Sequence, residues 1–359
     1  MTYHLHDSKN KKVCLSPNYN FIFDKVTGFF ARWGKTENED PQFAPFPEIC
    51  DMEISTICTQ GCKFCYKGNT TVGENMSFDT FKIVFNKLPK SICQIAFGIG
   101  SLESHPQLFD ILSYTRDNGV IPNITINGYN LTDELATKLA NVCGAISVSY
   151  YDKDTCFDAI KKLTDRGMKQ VNIHYMLSDE TFSEALILMN EVREDSRTNK
   201  LNAIVFLQYK PKGNNIGKYH SISNPIKFKH ILRLSETLEI GIGFDSCSAP
   251  MVLKGYELIK KDTSEIEKFI EPCESSLFSS YINVRGEFFP CSFSEGTPNW
   301  ETGIDVKNTL DFTKEVWYNS RTIMFRETLL NTTKDCLCKF VSNCRKCPVY
   351  KSITNCEIK

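Results

Sequence analysis

The sequence predicts an α/β fold, a partial (β/α)6 TIM-like barrel followed by a small Cys-rich C-terminal domain, on three observations. Strand-like and helix-like segments alternate from residue 48 to residue 245. The rhythm then stops, and the stretch 246–359 gathers Cys247, Cys273, Cys291, Cys336, Cys338, Cys344, Cys347 and Cys356. Alternation of this kind argues for parallel pairing with right-handed crossovers. A doubly wound open sheet would give a similar string; in either arrangement the ligand site lies at the C-terminal ends of the strands.

The elements follow in order. Residues 1–47 read as a flanking segment whose clear signal is "NYNFIFDKVTGFFARWG", two aromatic-rich runs about Gly28, a β-hairpin. "EICDMEIS" is the first barrel strand, and the helix after it runs from Phe78 to Leu88, capped by Ser77 and ended by Pro89. "CQIAFGIG" is the second strand, followed by a helix with Pro106 at its start. "IPNITING" is the third, with Thr132 as N-cap of the next helix. "AISVSY" is the fourth, before a helix from about Asp154 to Arg166 stopped by Gly167. "QVNIHYML" and "NAIVFLQY" are the fifth and sixth, each followed by a helix, and "IGIGF" is a short seventh.

At 359 residues, 41% hydrophobic and 24% charged, the chain has the makeup of a globular protein with a sizeable core. Its start lacks the apolar core of a signal peptide, and no apolar run is long enough to cross a bilayer, so a cytoplasmic protein without a membrane partner is expected. A net charge of −1 gives no long-range pull toward nucleic acid. In a reducing compartment its 16 cysteines stay thiols, and clustered ones read as metal ligands before disulfides. The scattered Cys14, Cys50, Cys93, Cys143 and Cys156 read as small buried hydrophobes.

The first strand runs into "ICTQGCKFCY", which holds Cys58, Cys62 and Cys65. Ferredoxin-type [4Fe-4S] cubes give each of four irons a thiolate, so three thiolates leave one iron open, as catalytic metal sites require. Gly61 loosens the loop, and Phe64 and Tyr66 supply aromatic bulk beside it. The competing reading is a zinc loop completed from elsewhere, or three buried structural thiols.

CxxxCxxC after a first strand, with an aromatic before the last cysteine, resembles the signature of the radical S-adenosylmethionine (radical SAM) superfamily. The resemblance implies that Cys58, Cys62 and Cys65 hold a [4Fe-4S] cluster whose open iron chelates S-adenosyl-L-methionine (SAM). Reductive cleavage of SAM to a deoxyadenosyl radical would follow, fed by an electron donor such as flavodoxin or ferredoxin. "FGIGSLESHP" resembles the family's "GGEP" segment, which puts Gly98, Gly100 and Ser101 at the SAM amino group, although Ser101 and Leu102 stand where Glu and Pro are usual. "ITING" resembles "TTNG", which makes Asn127 a pocket-lining candidate, and Ser149 falls where the family contacts the SAM ribose. For both, a plain strand-end cap is the competing reading. His174, alternating with apolar neighbours, reads as a barrel-lining residue rather than a ligand.

The tail is similar to the SPASM extension, which carries auxiliary iron-sulfur clusters. Cys273, Gly286 and Cys291 match its hairpin spacing, whereas Cys336 and Cys338 form CxC and Cys344 and Cys347 form CxxC, in place of the usual opening CxxC and closing CxxxC. Two complete auxiliary cubes need eight thiolates, and from Cys273 onward the tail has seven. Either one cluster has an open iron, or Cys247 is the eighth ligand, or only one cluster is present; a competing use of Cys247 is as hydrogen donor to a substrate radical. A zinc ribbon is the competing reading.

Relatives with such tails mostly modify peptides or proteins by crosslinking, epimerisation or side-chain oxidation, so a peptide or protein substrate is expected. Modification of a small metabolite or an RNA base is the alternative. A non-catalytic zinc-binding interaction protein on a degenerate barrel is the alternative of another class, for which the altered "GIGSL" is the best argument. The N-terminal 47 residues are short for a peptide-binding domain.

Overall fold

The computed structural model describes residues 3–331, 338–345 and 347–350. The N-terminal segment forms a four-stranded antiparallel meander: β1 (His4–Asp7), β2 (Lys11–Leu15), β3 (Asn20–Asp24) and β4 (Phe30–Trp33). The hairpin about Gly28 is β3–β4, with Gly28 at φ +79°. Strands β1 and β2 were not foreseen, because "HLHD" carries a single apolar residue, Leu5, and Lys12 interrupts the apolar pattern of β2. Lys12 is nonetheless buried: its ammonium donates to Lys90 O at 3.0 Å and Ile92 O at 2.6 Å, which docks the meander on the barrel.

The barrel strands are β5 (Ile49–Glu53), β6 (Gln94–Gly98), β7 (Ile121–Ile126), β8 (Ile146–Ser149), β9 (Val171–Leu177), β10 (Ala203–Gln208) and β11 (Ile242–Phe244). All pair in parallel, each with its neighbour in sequence. That order excludes the doubly wound alternative, in which the strand order reverses at a switch point. The intervening helices are α1 (Phe78–Lys87), α2 (Leu108–Asp117), α3 (Asp133–Val142), α4 (Lys153–Thr164), α5 (Phe182–Glu194) and α6 (Pro225–Leu238), and sequential helices pack side by side. Ser77, Thr132 and Asp152 accept the backbone N–H of Thr80, Leu135 and Thr155, so α1, α3 and α4 start on side-chain caps.

The sheet does not stop at β5. Its free edge is taken by β12 (Ser279–Ile282), parallel to it, and the sheet continues antiparallel through β13 (Glu287–Phe289) and β14 (Ile304–Asp305) to ten strands. Gly286, at φ +76°, makes the β12–β13 turn, and Asn283 Oδ1 accepts the Arg285 and Glu287 N–H groups there. Further along, Trp317 is fully buried, and its indole N–H donates to Ala44 O at 3.0 Å. The tail is therefore folded onto the barrel's first strand and the segment leading into it. Cys14, Cys50, Cys93, Cys143 and Cys156 are buried, and burial pushes each thiol up, to about 11 for Cys14 and about 12 for Cys50, Cys143 and Cys156. Among the described residues, no helix is long and apolar enough to cross a membrane.

Candidate functional site

The cysteine loop leaves β5 at Glu53 and folds back on itself. Thr56 N donates to Glu74 O and Cys58 N to Thr70 O, both at 2.9 Å, while Cys65 N donates to Cys62 O at 3.2 Å and tightens the CKFC turn. From the far side of the barrel, Asn214 N donates to Cys65 O at 2.9 Å and Asn215 Nδ2 to Phe64 O at 3.4 Å. This clasp permits only glycine beside it, since a Cβ on Gly213 would stand 2.5 Å from Cys65 O. Cys58, Cys62 and Cys65 all face a cavity of about 610 Å³ at the C-terminal ends of the strands. Burial raises the Cys62 thiol pKa, with Cys58 and Cys65 adding to the rise.

Gly98, Gly100, Phe64, Asn127 and Ser149 line the same cavity. Gly100 lies so close beneath the loop that an added Cβ would stand 2.1 Å from Ile57 O and 2.5 Å from Cys58 Cβ. Gly100→Ala is therefore expected to displace Cys58 at a cost of about 1–3 kcal/mol, visible as lower iron retention after anaerobic reconstitution and as a lower unfolding midpoint. Asn127 Nδ2 donates to Gly100 O at 3.2 Å, and its Oδ1 accepts Tyr129 N at 3.0 Å, so its amide fixes the third strand end to the glycine segment. Ser101 is buried and stands outside the cavity lining.

Several cavity residues carry no sequence signal. Tyr151 stacks on Phe64 at 5.2 Å between centroids and 14° between planes, with its hydroxyl bonded to Cys62 and Ser149. Burial and the neighbouring Cys62 raise its pKa. Lys67, just past the motif, reaches Glu53 at 3.2 Å, Glu295 at 2.5 Å and the Tyr281 hydroxyl at 2.7 Å. Burial opposes its charge, but Glu53, together with Tyr66 and Glu295, outweighs that, and the ammonium is held. Lys67 thereby ties the loop to the tail's hairpin. His174 lines the cavity, and burial lowers its pKa to about 4, leaving the imidazole neutral near pH 7.

The opposite wall is built by the tail. Cys247, Cys273, Cys291 and Cys347 all line the cavity. Cys247 and Cys273 are hydrogen-bonded sulfur to sulfur, which raises Cys247 and lowers Cys273. Cys291 feels Cys347 and Cys247, and burial raises both Cys291 and Cys347. Lys210 stands beside Cys247 and Cys347; burial lowers its pKa, and its pair with Asp245 at 2.5 Å more than reverses that. Cys338 and Cys344 are half-buried and outside the cavity lining, and Cys336 and Cys356 lie outside the described residues. Among the described residues, no three Cys, His, Asp or Glu side chains converge on one single-ion position. A cube does not require that convergence, because each thiolate binds a different iron.

No family model matches the chain. A curated relative, the tungsten-containing aldehyde ferredoxin oxidoreductase cofactor-modifying protein of Pyrococcus furiosus, is 29% identical over 107 residues, which is 29% of this chain and 30% of that one. Among solved structures, Streptococcus suis SuiB bound to its precursor peptide SuiA superposes with a TM-score of 0.73 at 12% identity, over 99% of this chain and 100% of that one. SuiB bound to S-adenosylmethionine gives 0.69 at 13% identity, over 95% of each chain. The anSMEcpe structure with bound AdoMet and the Cp18Cys peptide gives 0.61 at 13%, over 86% of this chain and 91% of that one. Beside the motif resemblance at "CTQGCKFC", the chain thus shares the fold of SuiB over nearly its whole length and that of anSMEcpe over most of it.

Proposed function

We propose that the chain is a radical SAM enzyme that modifies a peptide or protein. The observation that carries this reading is the meeting of two thiol groups at one cavity: Cys58, Cys62 and Cys65 on one wall, Cys247, Cys273, Cys291 and Cys347 on the other. In this reading the first three hold the cluster that binds SAM and the other four close an auxiliary cluster. The donor sets fit, three thiolates for a cube with an open iron and four for a closed one. Cys336, Cys338, Cys344 and Cys356 then remain, the number a second auxiliary cube would take. When bound, a cluster with an open iron supplies the electron that cleaves SAM, the source of the radical that takes a substrate hydrogen.

The chain's own residues position and enclose. Phe64 and Tyr151 form an aromatic wall beside Cys62, suited to a flat ring such as adenine. Asn127 fixes the Gly100 carbonyl, and Gly98 and Gly100 let backbone approach the methionine end of SAM. Lys67 keeps the loop shut against the tail, which excludes water from a reaction that must not be quenched. A peptide substrate is supported by the neighbours, since SuiB holds its precursor peptide and anSMEcpe a peptide. Flavodoxin or ferredoxin would supply the electron.

Anaerobic iron and acid-labile sulfide analysis, followed by reduction in the presence of SAM, tests the proposal. Iron and sulfide in near-equal amounts and formation of deoxyadenosine are expected. Zinc without sulfide, with no deoxyadenosine, overturns the enzyme reading in favour of a zinc-binding interaction protein.

A further inference from the structure

One carboxylate in the cavity has no role in the site described above. Ile49, Asp51 and Glu53 alternate onto the inward face of β5 and all line the cavity. Glu53 pairs level with Gly98 and is engaged by Lys67 and Tyr281. Asp51 lies two residues deeper, about 7 Å at strand rise, flanked by Ala96 on β6 and Tyr281 on β12. Its side chain is open and lines the cavity, and its place deep in the barrel raises its pKa to about 6. Among the described residues no hydrogen bond or ion pair reaches its carboxylate.

The cations that line the cavity are committed elsewhere. Lys67 is held by Glu53 and Glu295, and Lys210 by Asp245 and Gln208 O. Glu274, near Asp51, faces Arg32 at 3.7 Å. From β10, Gln208 lines the cavity at 3% exposure, and its Oε1 has no hydrogen-bond partner. The Asp51 carboxylate thus stands in a cavity whose lining also holds two amide oxygens without partners, those of Gln208 and Asn69. A carboxylate open to the cavity and without a partner is free to pair with a cation that enters with a ligand.

We infer that Asp51 is the specificity residue of the substrate pocket and receives a lysine or arginine side chain of the substrate peptide, with Gln208 as a second acceptor in the same cavity. This rests on the peptide-modifying reading above and adds the class of side chain that enters. The rival cation is SAM itself, whose ammonium belongs at the Gly98–Gly100 level in that reading. The depth of Asp51 below Glu53 separates the two positions.

The test uses the reconstituted full chain with SAM bound and four N-acetylated, C-amidated pentapeptides, Gly-Gly-X-Gly-Gly with X as lysine, arginine, norleucine or glutamate, titrated anaerobically by calorimetry. Blocked termini leave the X side chain as the cation under test. The lysine and arginine peptides are expected to bind about 30-fold or more tightly than the norleucine peptide. That preference should disappear in Asp51→Asn and return in Asp51→Glu, with iron content and melting temperature showing each variant folded. Equal binding of the lysine and norleucine peptides, no binding of either, or a preference that survives Asp51→Asn overturns the inference. So does an Asp51→Asn variant that weakens SAM binding while wild type shows no peptide preference. Wild type that forms no deoxyadenosine fails the parent proposal, whereas wild type that forms it without a cation preference fails this inference alone.

Discussion

Replacing Cys58, Cys62 and Cys65 together with alanine is expected to reduce deoxyadenosine formation from SAM to the level without enzyme, and to remove about four irons per chain. The rest of the iron should stay. The three sulfurs lie on one loop, stitched to itself by the Thr56–Glu74 and Cys58–Thr70 backbone bonds, so their loss removes one donor set without touching another. The tail cysteines approach the cavity from after β11, from either side of the β12–β13 hairpin and from residue 347, and their backbone positions do not depend on the loop. The exceptions are Lys67, whose contacts with Tyr281 and Glu295 couple the loop to the hairpin, and Tyr66, which stacks on Phe293 beside Cys291, but those remain when only thiols are removed. Iron analysis beside a chromatographic assay for deoxyadenosine reads both halves. Loss of all iron would contradict the division into two donor sets, and persistence of SAM cleavage would contradict the assignment of the loop.

The parts of this site that are local in sequence were readable from it. CTQGCKFC carries its own donor set, and the strand before it and the glycines of "FGIG" fix where it sits, because parallel strands put their ends on one rim. The helix caps Ser77 and Thr132 were readable for the same reason, since cap and helix are adjacent. What was not readable depends on pairing across long stretches of chain. Nothing in "SSYI" says that it adds to β5 rather than forming a separate hairpin, so the Lys67–Tyr281–Glu53 network could not be foreseen. Tyr151 meets Cys62 only because β8 ends beside the loop. The spacing of Cys344 and Cys347 suggests a pair serving one site, yet Cys347 faces the cavity with Cys291 while Cys344 does not.

The same long-range placement bears on Cys247, for which the sequence left a ligand and a hydrogen donor open. A thiol that gives a hydrogen atom to a substrate radical must stand apart from metal, with its S–H facing the substrate. Cys247 instead hydrogen-bonds Cys273, close enough to Cys291 and Cys347 for each to feel its charge, and Lys210 stands beside it. A sulfur packed among three other thiols suits a ligand of a shared cluster and works against a donor that must face the substrate alone. Cys247→Ala is therefore expected to lose about four irons per chain, as is Cys273→Ala. The double variant should lose no more than either single one, because residues that complete one cluster act as a unit and their effects do not add. If Cys247→Ala keeps its full iron content while Cys273→Ala does not, Cys247 lies outside the ligand set and the hydrogen-donor role returns. If both keep it, the four thiols do not hold a cluster at all, and the tail's iron must sit on the cysteines that follow residue 331.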